Sequence, residues 1–206
     1  MRQAEFFGHR APNSNPCEGL KRYRCPKRER FLRTGEFHRL GIALKAHENS
    51  FPSATALIRL LILTGCRQSE IRTLQWSAYR EGNLYLSDSK TGPRTVWLAT
   101  AARNVLDALP HVCRWVFPSA GRDGHLPVES LYRCWRVIRN EAGLDGLRLH
   151  DLRHSYASFA LRSGESILTI GRLLGHRDPS STLRYTHFAD DLAREAVERV
   201  GNILTR

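Results

Sequence analysis

Residues 75–98 read QWSAYREGNLYLSDSKTGPRTVWL, the one stretch of the chain patterned like β-structure. Three short runs rich in aromatic and β-branched residues, Gln75–Tyr79, Leu84–Ser87 and Thr95–Leu98, are separated by Glu81-Gly82-Asn83 and Thr91-Gly92-Pro93. Those separators supply turns, so the spacing predicts a small three-stranded antiparallel sheet.

On both sides of this sheet the periodicity is helical. Thr34 is placed to cap a helix running to about His47, with Phe37, Leu40, Ile42 and Leu44 apolar. Pro52 opens an apolar helix through Leu57, Leu60, Leu61 and Leu63, which Gly65 ends, and a short helix from Gln68 to Leu74 follows. Beyond the sheet, helices are expected near 100–109, 128–141, 151–163, 166–174, 180–187 and 189–204. Asp178-Pro179 offers a cap and first-turn proline for the helix over 180–187, and Gly121-Arg122-Asp123-Gly124 marks a surface loop. The fold class is therefore mainly α with a small antiparallel sheet (α+β).

The 206 residues suffice for one sizeable domain, and a hydrophobic content of 41% allows a normal core. No run of about 18 apolar residues is present to span a membrane, and residues 1–10 lack the apolar stretch of a signal peptide. The net charge is +12. Of the 32 basic residues only Lys21, Lys27, Lys45 and Lys90 are lysines. An arginine-dominated charge suits planar, bidentate contact with phosphate and points to nucleic acid, although coding bias and solubility would also enrich arginine. Five cysteines, at 17, 25, 66, 113 and 134, form no CxxC pair, which fits a reduced protein without structural zinc.

Residues 1–33 differ from the rest. They hold Pro12, Pro16 and Pro26, poor apolar periodicity and the basic runs Lys21-Arg22-Tyr23-Arg24 and Lys27-Arg28-Glu29-Arg30. This reads as an extended basic linker, the end of a preceding domain, or a disordered tail. Lys21, Arg22, Arg24, Lys27 and Arg28 are its candidate DNA contacts.

Chemistry concentrates in four segments: Thr64-Gly65-Cys66-Arg67-Gln68-Ser69-Glu70, Lys90-Thr91-Gly92, His150-Asp151-Leu152-Arg153-His154, and Leu174-Gly175-His176 followed by Arg184-Tyr185-Thr186-His187. His150 and Arg153, three apart at a helix start, share a face on which both can meet one phosphate, while His154 turns toward the core. His150 and His154 also form an HxxxH pair, but Asp151 stands where HExxH has Glu, and no third zinc ligand is evident. Arg67 follows a Thr-Gly turn, and Glu70 can orient it or cap its helix. Taken singly, each is ordinary: a surface arginine, a hairpin lysine, a helical tyrosine. Together, arginines grip phosphate, histidines handle protons, and a tyrosine can accept a phosphoryl group.

With these segments in this order, residues from about Arg30 to Phe188 closely resemble the tyrosine recombinases, the phage-integrase family. By that resemblance, Arg67 and Arg153 are the paired active-site arginines, Lys90 is the β-hairpin lysine, and His150 and His176 are the two active-site histidines. Tyr185 is the nucleophile, and Glu70 supports Arg67. The resemblance implies the recombinase catalytic-domain fold over residues 34–206, with residues 1–33 a basic linker or remnant of a preceding core-binding domain. It also implies transesterification through a 3′-phosphotyrosyl link with no cofactor and no metal, on double-stranded DNA. The expected assembly is a homotetramer on paired sites, with a monomer possible without DNA, in the cytoplasm of a bacterium or phage host.

Two rival readings accompany it. One is a type IB topoisomerase, which reseals the same strand. The other is a non-catalytic DNA-binding remnant. Last, Leu192, Ala196, Val197, Val200, Ile203 and Leu204 give an apolar stripe to residues 189–204, which either packs on a neighbouring subunit or folds back on its own domain.

Overall fold

The computed structural model describes residues 2–21, 23, 30–87, 92–121, 124–176, 197 and 201. Its helices are α1 (Arg2–Phe6), α2 (Thr34–Ala46), α3 (Pro52–Thr64), α4 (Gln68–Arg72), α5 (Thr100–Asp107), α6 (Val128–Glu141), α7 (Leu149–Arg162) and α8 (Ile167–Leu174). Strands β1 (Tyr79–Arg80), β2 (Asn83–Leu86) and β3 (Arg94–Trp97) form one antiparallel sheet in the order β1-β2-β3. The helix expected over 180–187 lies outside the described residues, and of the one expected over 189–204 only Val197 and Gly201 are described, both as helix.

The fold is organised around α3. Its sequence, PSATALIRLLILT, is apolar nearly all round, and it buries Leu57, Ile58, Leu60 and Leu61. A helix of that composition must be surrounded, and α2, α4, α5, α6 and α7 all pack on it. Pro52 occupies its first turn, and Gly65 ends it in the left-handed conformation at φ 63°. Leu84 and Val96, opposite one another across the strands, bury the inner face of the sheet.

Three helices begin in the same way. An arginine precedes the first helical residue, and the acid three positions later accepts a hydrogen bond from that arginine's backbone N–H: Glu36 from Arg33, Glu70 from Arg67, Asp151 from Arg148. Each carboxylate thus satisfies one of the orphan amides of a helix start and sits at its positive end. Thr34 is accordingly the first residue of α2 and not its cap. At α7 the same device starts the helix at Leu149, two residues earlier than the spacing suggested.

The first strand is also shorter than expected. Residues Trp76–Ala78 form a 3₁₀ turn, and only Tyr79–Arg80 pair with β2. Gln75 forms an isolated bridge with Trp115, and the Trp76 amide donates to the Arg114 carbonyl, so distant residues claim the backbone of this run.

Upstream of α2 the chain is tied down before residue 34. Arg30 makes a two-pronged ion pair with Glu36 at 2.9 and 2.6 Å. That contact, led by the Arg30 hydrogen bond, holds the Glu36 carboxyl at about 2. Phe31 packs on the small cluster of Ala157, Leu161, Ile170 and Leu174 between α7 and α8. Leu32 is buried in the main core, and its amide donates to Ser155 Oγ at 2.9 Å. Residues 2–21 otherwise hold only the one-turn helix α1, which the sequence pattern did not signal, and Lys21 is exposed.

Candidate active site

Two glycine turns build the site. Gly65 ends α3 and leads to Arg67; Gly175, at φ 66°, ends α8 and leads to His176. Both turns need left-handed backbone, which favours glycine. Space requires it too. A Cβ at Gly65 would lie 2.6 Å from the Tyr156 ring and 2.9 Å from Leu174, so the end of α3 abuts both α7 and α8.

Arg153 locks these turns together from α7. One guanidinium nitrogen, Nη1, donates to the Gly65 carbonyl at 2.8 Å, and Nη2 donates to the Leu174 carbonyl at 2.7 Å. These are orphan carbonyls of two helix ends, each two residues from a candidate site residue. The side chain is buried, with 4% of the residue exposed. His150, one turn back on α7, is exposed. His154 is half-buried and not in the core as the helical spacing suggested, its ring edge-on to His150 with centroids 4.9 Å apart.

Arg67 projects from the start of α4. Its Nη1 donates to Glu70 Oε1 at 2.8 Å while its backbone N–H donates to Oε2 at 2.8 Å. Glu70 therefore both orients Arg67 and caps the helix. The same Oε2 accepts from Arg94 Nη2 at 2.9 Å. Burial alone would push the Glu70 carboxyl up; the charge of Arg94, the Arg67 amide and hydrogen bonds from both guanidinium groups outweigh it and hold the carboxyl below its usual range.

Arg67 and Arg94 thus share one carboxylate, and the charge of Arg153 is felt beside them in a mostly buried setting. The cost falls on Arg153. Burial, followed by the like charge of Arg67 with a further contribution from Arg94, pulls its pKa down to about 10 against the partial relief given by Glu70. It remains a cation at neutral pH. The site holds surplus positive charge, with room in its ionic balance for an anion. Burial also pushes up the thiol of Cys66, which lies between the turn and Arg67.

The structure thus brings Arg67, Glu70, Arg153 and His176 to one place through the two turns, with His150 on the adjoining surface of α7. Lys90 and Tyr185 lie outside the described residues, as do Arg22, Arg24, Lys27 and Arg28; Lys21 is on the surface. Arg94 is the residue that sequence reasoning missed. Its signal was present: from β3 into the residue after it, Arg94, Val96 and Leu98 alternate inward, so an arginine occupies a core-facing register position opposite Leu86. Among the described residues, no three His, Cys, Asp or Glu side chains gather as metal ligands, and no helix is long and apolar enough to cross a membrane.

The sequence profile of the Phage integrase family matches residues 30–191. Tyrosine recombinase XerD of Rhizobium meliloti (strain 1021) is 33% identical over 154 residues, which cover 69% of this chain and 50% of the relative. The chain thus spans about half the length of such curated relatives. In structure it is similar to the catalytic domain of bacteriophage HP1 integrase, with a TM-score of 0.64 and 27% identity over 83% of this chain and 95% of that one. It is likewise similar to XerA recombinase, with a TM-score of 0.67 and 25% identity over 87% of this chain and 66% of that one.

Proposed function

The chain belongs to the phage integrase family, and from that premise we propose that it is the strand-transfer unit of a site-specific DNA recombinase, working in the cytoplasm of a bacterium or phage host. The observation that carries this reading is the cation surplus around Glu70, where Arg67, Arg94 and Arg153 outnumber one carboxylate, an excess that a phosphodiester held by Arg67 and Arg153 would partly offset. The Tyr185 oxygen attacks the scissile phosphorus in line, forming a 3′-phosphotyrosyl bond as the bond to the 5′-oxygen breaks. Arg67 and Arg153 take the non-bridging oxygens and stabilise charge developing there. His150, exposed beside them, accepts the phenolic proton. Lys90 protonates the departing 5′-oxygen, and His176 hydrogen-bonds a non-bridging oxygen. A 5′-hydroxyl from a second duplex then attacks the phosphotyrosine and frees Tyr185. The basic residues Lys21, Arg22, Arg24, Lys27 and Arg28 follow the DNA backbone. Exchange between two duplexes calls for a homotetramer on paired sites, assembled from chains that are monomeric without DNA. The family match favours this exchange over same-strand resealing.

The direct test is a suicide duplex, nicked so that the short downstream fragment bearing the freed 5′-hydroxyl diffuses away after cleavage, incubated with the chain in excess EDTA. A covalent protein–DNA band is expected, because fixed cations supply the charge stabilisation that a metal ion would otherwise give. Absence of that band with and without added divalent metal would reject the enzymatic reading; a band only with metal would reject the metal-free mechanism.

Lys90→Ala should slow cleavage of ordinary DNA by about 10²–10⁴-fold, the usual range for a general acid. A 5′-bridging phosphorothiolate should restore the rate, since sulfur leaves without a proton. Equal defects on both substrates would assign Lys90 to positioning.

A further inference from the structure

The contacts of Arg94 give it a task distinct from those of Arg67 and Arg153. Its Nη1 donates to the Leu173 carbonyl near the end of α8 at 3.1 Å. Its Nη2 donates to Glu70 Oε2 at 2.9 Å and contacts Cys66 Sγ at 3.4 Å. Its stem lies over Gly175: a Cβ there would come within 2.5 Å of Arg94 Cδ and 2.7 Å of Nε. One side chain, only 10% exposed, therefore touches the segment that carries Arg67 and the segment that carries His176. It does so from β3, the strand just after the Lys90 hairpin.

The choice of arginine is informative. Its Nε is buried and, among the described residues, meets no acceptor. A lysine would bring no such orphaned donor. Yet a lysine has one nitrogen, where the three acceptors lie on two separate segments and need a planar fork to reach them.

We propose that Arg94 is a positioning residue for strand cleavage: it sets the Arg67–Glu70 pair against the Gly175–His176 turn and ties both to the strand that bears the hairpin. It acts through Glu70 and the α8 end and does not itself hold the phosphate. The inference rests on the recombinase reading for its kinetic consequence, but not for its structural one.

The test uses the whole 206-residue chain and the variants Arg94→Met, Arg94→Lys and Arg80→Met, the last removing a surface arginine from β1 of the same sheet. In single-turnover cleavage of a suicide duplex, Arg94→Met should lower the rate by about 10²-fold, the scale of a small misplacement of reacting groups, with the substrate concentration at half-maximal rate unchanged. Arg94→Lys should recover only part of it, and Arg80→Met should match the wild type. Adding Glu70→Gln to Arg94→Met should cost little more than either change alone, because both break one unit. The second readout needs no DNA. Nuclear magnetic resonance of the side chains should show the Glu70 carboxyl titrating at higher pH in Arg94→Met, where its largest charge partner is gone, and the His176 ring signals displaced. Unmoved Glu70 and His176 signals would overturn the proposal whether or not the chain cuts DNA. Moved signals with no adduct from the wild type would leave Arg94 as the organiser and reject the recombinase reading instead. A defect expressed in DNA affinity rather than in rate would overturn positioning in favour of direct phosphate contact.

Discussion

Tyr185→Phe is expected to abolish covalent attachment to DNA while leaving DNA affinity within about twofold. Phenylalanine keeps the aromatic ring and removes only the oxygen that would bond to phosphorus. A phenol with an unperturbed pKa near 10 is a poor nucleophile at neutral pH unless a base takes its proton and cations hold the product charge. On the proposed reading, Arg67 and Arg153 hold that charge and the exposed His150 takes the proton. The measurement is a denaturing gel of protein with a labelled suicide duplex, beside a gel-shift titration of the same duplex. An adduct that persists in Tyr185→Phe would assign the nucleophile elsewhere.

Arg153→Ala is the second large effect. Loss of one preorganised charge-stabilising donor typically costs about 10²–10³-fold in rate, and here the same change frees the carbonyls of Gly65 and Leu174 that hold the two glycine turns. Arg153→Lys should remain severely impaired, because one nitrogen cannot bridge both carbonyls. Thermal stability separates the electrostatic part from the structural part. The folded state depresses the Arg153 pKa to about 10, so its charge destabilises the fold at every pH below about 10, and that cost fades as pH rises from there toward the ordinary arginine range. An anion pairing with the group recovers the loss. Sulfate should therefore raise the Tm of the wild type by clearly more than that of Arg153→Ala. Equal sulfate shifts in the two proteins would remove Arg153 from the anion site.

The helical frame was legible because its signals are local. Pro52 and Gly65 bracket α3 by conformational restriction alone, and the Glu81-Gly82 turn takes the positive φ values that place the β1–β2 hairpin. What the sequence obscured depends on partners far along the chain. Gln75 has β-like neighbours, but its backbone pairs with Trp115. Thr34 has the better capping hydroxyl, yet the acid at Glu36, held also by Arg30, wins the helix start. Of the site, spacing on one helix was enough to associate His150 with Arg153, and Arg67 with Glu70. It could not reveal that Arg153 would bond two backbone carbonyls, since backbone acceptors leave no trace in residue type. Nor could it set Arg94 against Glu70, a pairing that exists only once β3 lies beside α4 and α8.

The anchorage of residues 30–32 bears on how this chain could be recombined with others. A composition-based cut between residues 33 and 34 would strip Leu32 from the core, Phe31 from the α7–α8 cluster, and the Arg30 clamp from Glu36. A cut just before Arg30 leaves all three in place. The seam for grafting a foreign DNA-reading module is thus Arg30. Because Leu32 is bonded to Ser155, two residues after Arg153 on α7, any such module would pull on Arg153 through a short, stiff handle. Chimeras joined at that seam should inherit new site preference with their chemistry intact, and a strained junction there would be felt first at Arg153.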